Sequence, residues 1–115
     1  MAEPRLERPG RTAYLGGMDK DAVIAVLRAH RTELEKLGIR HAGLFGSLAR
    51  GDAGPESDID IAIELDETRH PTIYDYVGMQ QAVSELFASP TDVVDIEAMQ
   101  PRMRRRVEAD LVDAF

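Results

Sequence analysis

Apolar positions at helical spacing first appear after Asp19, and the stretch before it shows no periodicity. Residues 1–17, with two prolines and three glycines, predict a mobile tail ahead of a single domain over 18–115. Asp19 is a suitable N-cap for a helix that Gly38 would end. We expect His30 to be buried or to lie at the boundary of the apolar stripe of this helix. The stripe consists of Val23, Ile24, Val26, Leu27, Leu34 and Leu37.

Alternating apolar residues then predict two strands joined by a turn-rich connection. The first strand covers 39–45 and leads through Gly46 into a short helix over 47–50. A loop rich in glycine, aspartate and proline, 51–57, precedes a second strand over 58–65. One face of the second strand is apolar and the other is largely acidic. Ile59, Ile61, Ile63 and Leu65 form the first face, and Asp58, Asp60, Ala62 and Glu64 form the second.

The last third of the chain predicts a helix, a strand and a final helix. Pro71 suits the first turn of the first of these helices, and the strand covers 91–96. The final helix begins at about Pro101. The predicted apolar positions are Ile73, Tyr76, Val77, Val83, Leu86 and Phe87 in the earlier helix and Met99, Met103, Val107, Leu111 and Phe115 in the later one, with Gln80, Gln81 and Glu85 facing solvent.

The order of these elements is helix, strand, short helix, strand, helix, strand, helix. Strands interleaved with helices in this way predict an α/β (α+β) fold, a small mixed β-sheet of three or more strands with helices packed on it. At 115 residues the chain is long enough to form one hydrophobic core.

Composition limits the classes of function. The net charge is −7 and the sequence pI is about 4.9, so the chain lacks the basic face that broad nucleic-acid binding needs. It has no cysteine, which excludes disulfides and thiol chemistry. No apolar run approaches the length of a membrane span, and no signal peptide is visible. We therefore expect a cytoplasmic protein with no membrane and no direct nucleic-acid partner.

Two neighbouring features carry the candidate chemistry. Gly46-Ser47, where a strand meets a helix, lets backbone N–H groups approach an anion closely. Asp58 and Asp60 share one face of a strand and can present two carboxylates to a pair of divalent metals. The ordinary alternative for Gly46-Ser47 is a simple turn, and that for Asp58 and Asp60 is the solvent-exposed face of an edge strand. Crowded like charges, however, do not help folding unless a cation is bound. The combination predicts a site for a nucleoside triphosphate.

These residues also carry a family resemblance. Gly46-Ser47, Ala49-Arg50-Gly51 and Ser57-Asp58-Ile59-Asp60 resemble the signature of the DNA polymerase beta-like nucleotidyltransferase superfamily. More narrowly, the chain from about Met18 onward resembles the minimal nucleotidyltransferase (MNT) family. The resemblance implies the superfamily core and transfer of AMP from ATP. It further implies that the chain is the antitoxin of a HEPN-domain ribonuclease toxin, whose tyrosine would accept the AMP.

The resemblance assigns metal-binding and catalytic roles to three aspartates. Asp58 and Asp60 would hold two ions, which we expect to be Mg²⁺ because it prefers carboxylate, phosphate and water oxygens. The third carboxylate of the family lies on the next strand, where Asp92 and Asp95 are the candidates. The spacing from Asp92 to Glu97-Ala98-Met99 matches the family pattern, so we assign the role to Asp92. Alternation places Asp95 on the opposite face.

The resemblance also assigns nucleotide contacts. Gly46 and Ser47 would cradle the β- and γ-phosphates of ATP through backbone N–H groups and the serine hydroxyl. Arg50 lies one turn into the short helix and can either contact a phosphate or pair with an acidic neighbour. The arginines at 102 and 104–106 form the one basic cluster of the chain. This cluster predicts a solvated face paired with nearby acids, with partner or triphosphate contact as the alternative.

Two other functions remain open from the sequence. The first is a non-catalytic binding module that neutralises the toxin by occlusion. The second is a small-molecule nucleotidyltransferase of the aminoglycoside type, which shares the motif. Such enzymes usually carry an added helical domain, which we do not expect in a chain of 115 residues.

Overall fold

The computed structural model describes residues 19–52 and 58–115. The predicted tail, 1–17, and most of the predicted loop, including Ser57, lie outside the described residues. The helices are α1 (Lys20–Ala29), α2 (Arg31–Leu37), α3 (Gly46–Arg50), α4 (Ile73–Ser84) and α5 (Pro101–Asp110). The strands are β1 (Ile39–Phe45), β2 (Ile59–Leu65), β3 (Thr91–Asp95) and β4 (Val112–Asp113), and short 3₁₀ turns cover Glu67–Arg69 and Ile96–Ala98.

The four strands form one mixed sheet in the order β3-β2-β1-β4. Strand β1 runs antiparallel to both β2 and β4, whereas β2 and β3 are parallel and are connected through α4. In this register Asp60 lies opposite Phe45 on one side and Asp92 on the other. The predicted mixed sheet with packed helices is confirmed.

The two faces of the sheet are covered unequally. The apolar residues of β2 are confirmed as core: Ile59, Ile61 and Ile63 are at most 2% exposed and belong to the main cluster with residues of α1, α2 and α4. A smaller cluster of Ala62, Ile96 and Val107 packs α5 against the opposite face. The acidic face of β2 is therefore covered at its centre and open toward its beginning.

The predicted first helix is two helices that meet at His30. Both predicted ends are confirmed: the Asp19 carboxylate accepts from the Ala22 N–H at 2.9 Å, and Gly38 ends α2 with φ 106°. The break follows from His30, whose backbone leaves helical values and whose ring Nδ1 lies 2.9 Å from the Val26 carbonyl. Leu37, predicted to be buried, lies in the second of these helices and is 46% exposed.

Helix α4 begins two residues later than predicted. Pro71 precedes the helix, and the N-cap is Thr72, whose hydroxyl accepts from the Asp75 N–H while the Asp75 carboxylate accepts from the Thr72 N–H. This reciprocal capping box satisfies two of the free N–H groups at the helix start. It takes precedence over proline in setting where the helix begins.

The buried face of α4 also differs from the predicted one. Met79 is 1% exposed and fills the core, a position that the sequence analysis missed. Ile73 and Val77, predicted to be buried, are 66% and 44% exposed. Gln80, predicted to face solvent, is half-buried. The inward face follows 76, 79, 80 and 83, which keeps to the period of the helix.

The end of the chain departs most from the prediction. Helix α5 stops at Asp110, and the residues after it form β4, which pairs with Gly43 and Leu44 of β1. Five positions in strict steps of four sweep about 160° around a helix, so they cannot all face one core. Val107 is buried as predicted, but Met103 is 48% exposed. Within residues 19–52 and 58–115, the helices are too short or too polar to span a bilayer.

Candidate active site

The junction between β1 and α3 is shaped by a glycine in the left-handed region. Gly46 has φ 81°, and Phe45 before it is extended. A Cβ atom placed on Gly46 would overlap the Asp60 carboxylate and lie 3.2 Å from its Cγ. Phenylalanine offers no side-chain acceptor, so within the described residues the N-cap makes no side-chain hydrogen bond to the first N–H groups of α3. The junction therefore places the first backbone N–H groups of α3 directly beside a carboxylate.

Three of the predicted aspartates lie together at the beginning of β2 and β3. Asp60 is half-buried and directly opposite Asp92 in the parallel pairing, and Asp58 stands two residues before Asp60. Asp58 and Asp92 are exposed. Asp95 lies opposite Ile63 instead and caps the following 3₁₀ turn, where its carboxylate accepts from the Glu97 N–H at 3.0 Å. The register places Asp92, rather than Asp95, at the cluster.

The electrostatics of this cluster favour a bound cation. Burial raises the pKa of the Asp60 carboxyl, and the charges of Asp92 and Asp58 raise it further. The Arg50 charge acts in the opposite direction and is the weakest of these influences. A cation close to such a carboxyl group offsets the repulsion between the like charges and stabilises the ionised carboxylate. The donor set fits Mg²⁺, which prefers oxygen ligands.

The aspartates do not form a closed cage. In the part of the chain that the structure describes, no group of three histidine, aspartate or glutamate side chains is arranged to hold a metal ion by itself. In nucleotide sites Mg²⁺ is held by one or two carboxylates together with phosphate oxygens and water. The cluster therefore fits a metal that arrives with the triphosphate of a nucleotide.

Arg50 connects α3 to α5. Its Nη1 donates to the Asp110 carboxylate at 2.8 Å and its Nε donates to Asp52 at 3.3 Å. The hydrogen bond to Asp110 contributes most to raising the pKa of Arg50 above its usual value, and the hydrogen bond to Asp52 raises it further. The acidic pairing that the sequence analysis left open is thus present, and the phosphate contact stays a prediction.

Two further features near the site were missed or only partly foreseen. Tyr76 and Gln80, one turn apart on α4, both donate to the Val93 carbonyl of β3. Their i, i+4 spacing could have indicated a shared target. In the basic cluster, Arg104 pairs with Glu97 at 2.9 Å and Glu108 at 3.2 Å, in agreement with the predicted pairing with nearby acids.

The geometry is matched by a known family. The family model of the nucleotidyltransferase domain matches residues 27–113, which include the glycine junction, all three clustered aspartates and β3. The chain belongs to the nucleotidyltransferase domain family. The fold and family that the motif predicted are thereby confirmed.

Curated relatives of this nucleotidyltransferase include archaeal proteins. A candidate protein adenylyltransferase of Methanocaldococcus jannaschii, MJ1379, is 32% identical over 89 residues, which cover 76% of this chain and 89% of that protein. The protein adenylyltransferase MntA of Thermococcus cleftensis is 28% identical over 93 residues, or 80% of this chain and 92% of that protein. This similarity supports a nucleotidyltransferase enzyme.

Solved structures share its fold. A candidate minimal nucleotidyltransferase superposes with a TM-score of 0.68 at 27% identity and covers 83% of this chain and 95% of that one. The complex of a tri-AMPylated HEPN toxin of Shewanella oneidensis with an MNT antitoxin contains a chain that superposes with a TM-score of 0.56 at 18% identity. That match covers 80% of this chain and 71% of the other, and it concerns the fold alone.

Proposed function

We propose that this nucleotidyltransferase transfers AMP from ATP to a tyrosine of a HEPN ribonuclease toxin and thereby acts as its antitoxin. The observation that carries the proposal is the pairing of Asp60 with Asp92 beside a glycine whose φ is 81°. It combines a carboxylate cluster for a cation with backbone donors for a phosphate. The names of similar proteins support the choice of reaction and acceptor: one is a protein adenylyltransferase, and another was solved in complex with an AMPylated toxin.

The proposed reaction is an in-line displacement at the α-phosphorus of ATP. The tyrosine oxygen forms the new bond to phosphorus, its proton leaves to solvent, and the bond to the bridging oxygen breaks so that pyrophosphate departs. Asp58, Asp60 and Asp92 would hold two Mg²⁺ ions. When bound, these ions lower the pKa of the attacking hydroxyl and stabilise the charge of the leaving pyrophosphate.

The residues at the β1–α3 junction would hold the rest of the triphosphate. The backbone N–H groups of Gly46 and Ser47, with the serine hydroxyl, would donate to the β- and γ-phosphate oxygens. Arg50 is 48% exposed, so its guanidinium could reach a phosphate when nucleotide binds. Its present partners, Asp52 and Asp110, would then have to release it.

The surface supports a stable protein partner. Ile73, Tyr74 and Val77 on α4 are 66%, 84% and 44% exposed and form an apolar stripe on one helix. Apolar side chains grouped in this way mark interaction surfaces. The net charge of −7 favours a partner that is basic near the contact, with fast and salt-sensitive association. A HEPN toxin with such a surface would fit both features.

Occlusion without catalysis is the rival function, because the same apolar stripe could hold a toxin without any transfer. A genomic observation bears on both: a neighbouring gene that encodes an Arg-x-x-x-x-His motif would favour the toxin pairing. Only chemistry on the partner separates an enzyme from a binding module. A transferase active on small molecules alone would leave every such partner unmodified.

The pairing across β2 and β3 gives a prediction for the two candidate aspartates. Asp92→Ala should lower the rate of AMP transfer at least about 100-fold, because a metal ligand is lost. ATP binding should persist, since Asp58, Asp60 and the phosphate cradle stay in place. Asp95→Ala should act weakly, through its cap on the 3₁₀ turn. Transfer rates and ATP titrations of the two variants give the ranking, and the reverse order would contradict the assignment.

Labelled ATP tests the proposed function. The protein is incubated with Mg²⁺, the product of the neighbouring gene and ATP labelled at either the α- or the γ-phosphorus. We expect the partner to acquire the α-label and none of the γ-label, because AMP is transferred and pyrophosphate leaves. Incorporation of γ-label would indicate phosphorylation, and incorporation of neither label would contradict the proposal.

A further inference from the structure

Strand β3 is an edge strand that is held from outside the sheet by two side chains. It has β2 on one side only. On the other side, Gln80 Nε2 donates to the Val93 carbonyl at 2.9 Å, and the Tyr76 hydroxyl donates to the same oxygen at 3.4 Å. A carbonyl oxygen has two lone pairs, so two donors occupy it fully. We call Tyr76 and Gln80 the α4 clamp.

The clamped residue directly follows Asp92. The Val93 side chain is 4% exposed and points into the main core, so Asp92 must point to the opposite face, toward Asp60. Any slip or rotation of β3 would move the Asp92 carboxylate away from Asp60. The strand has only five residues, and β2, the Val93 and Val94 side chains and the clamp all hold it in place.

The clamp donors are suited to a permanent hold. Both side chains are half-buried, which shields their hydrogen bonds from competing water. The pKa of Tyr76 is raised, chiefly by burial, so its hydroxyl keeps the proton that it donates; hydrogen bonding with the Asp95 backbone acts in the opposite direction.

We infer that Tyr76 and Gln80 are positioning residues, which fix β3 so that Asp92 faces Asp60 in the geometry that AMP transfer needs. The inference rests on the proposed function and extends it to two residues outside the proposed metal and phosphate contacts. Residues that orient metal ligands in this indirect way typically affect activity by about 10–100-fold. A purely structural clamp would affect stability and leave the turnover of the folded protein unchanged.

Gln80→Leu tests the inference, because leucine has similar bulk and cannot donate. Gln81→Leu is the matched control, since Gln81 is the next residue of α4 and is exposed. At a temperature where both variants are fully folded, Gln80→Leu should lower kcat about 10-fold and leave the KM for ATP nearly unchanged. In metal-free protein, the same variant should speed amide hydrogen exchange in β3 while β1 keeps its protection. Tyr76→Phe should show a smaller change in the same direction, as its hydrogen bond is longer.

The outcomes separate the inference from the proposed function. If the parent transfers AMP and Gln80→Leu does so at the same rate as Gln81→Leu, the positioning role is overturned, even if β3 exchanges faster. If both glutamine variants lose activity equally, the effect is not specific to the clamp and the inference fails again. If the parent itself transfers no AMP, the proposed function fails first and the inference falls with it.

Discussion

Asp60→Asn should abolish AMP transfer and leave the metal-free protein at least as stable as the parent. Asparagine keeps the shape of the side chain but removes the charge that would hold a cation, and we expect a loss of at least about 100-fold in rate. The same change removes the repulsion that Asp92 and Asp58 exert on Asp60. Loss of activity with retained or increased stability is the pattern of a functional site.

The pH dependence of stability gives this prediction a sign. The pKa of Asp60 is raised in the folded protein, so folding favours the protonated carboxyl. Its contribution is fully present below the ordinary carboxyl pKa of about 4 and is lost as the pH rises through the raised folded value. Asparagine does not ionise, so the stability of Asp60→Asn does not change with pH through this side chain. In a chelating buffer, the melting temperature of the parent should fall relative to that of the variant across this window.

Mg²⁺ should reverse the order of the two proteins. A cation that binds only the folded state stabilises it by mass action, and the parent has the complete carboxylate cluster. Adding Mg²⁺ with ATP should therefore raise the melting temperature of the parent more than that of Asp60→Asn. A metal-free variant that melts clearly below the parent, or that transfers AMP at a rate near the parent's, would refute the role of Asp60.

Gly46→Ala should be the most damaging single change at the phosphate cradle. A left-handed φ of 81° disfavours any side chain by about 1–2 kcal/mol, and here the added Cβ would also displace the Asp60 carboxylate. We expect both lower stability and at least about a 100-fold loss of transfer, because the metal and phosphate sites are disturbed together. Ser47→Ala removes one hydroxyl contact and leaves the backbone donors, so its loss should be smaller.

Gly51→Ala separates strain from crowding. Gly51 has φ 85°, close to that of Gly46, yet a Cβ there would meet no heavy atom of the described residues within 4 Å. The two alanine variants should lose similar stability from backbone strain, measured by denaturant unfolding, while only Gly46→Ala should lose transfer. If Gly46→Ala binds ATP and transfers AMP as well as Gly51→Ala does, the phosphate is held elsewhere.

The sequence was most informative where local rules and site chemistry coincide. The alternation in β2 determined both which isoleucines are buried and which aspartates share the open face. Asp19 caps the start of α1 with a side-chain hydrogen bond, and Gly38 ends α2 in the left-handed region, both for the reasons that predicted these helix ends. The choice of Asp92 over Asp95 needed the family spacing as well as alternation, and the register places Asp92 beside Asp60.

The remaining differences arise from tertiary contacts that periodicity does not encode. Val112 and Asp113 form a strand because β1 offers a free edge, whereas the sequence pattern alone continued the helix through them. Met79 is buried because the core contacts the face of α4 that carries Met79 and Val83, and not the face of Ile73 and Val77. Gln80 is polar and was therefore placed in solvent, although a buried carbonyl on the edge strand provides it with a partner.

Mass spectrometry of a co-expressed partner shows whether this nucleotidyltransferase modifies a protein. The product of the neighbouring gene, which the proposal expects to be a HEPN-type protein, is expressed with either the parent or Asp60→Asn, and its intact mass and modified residue are determined. We expect a mass increase in steps of one AMP on a tyrosine with the parent and an unmodified partner with Asp60→Asn. A partner that is bound and inhibited but carries no AMP in either case would contradict this expectation and favour occlusion.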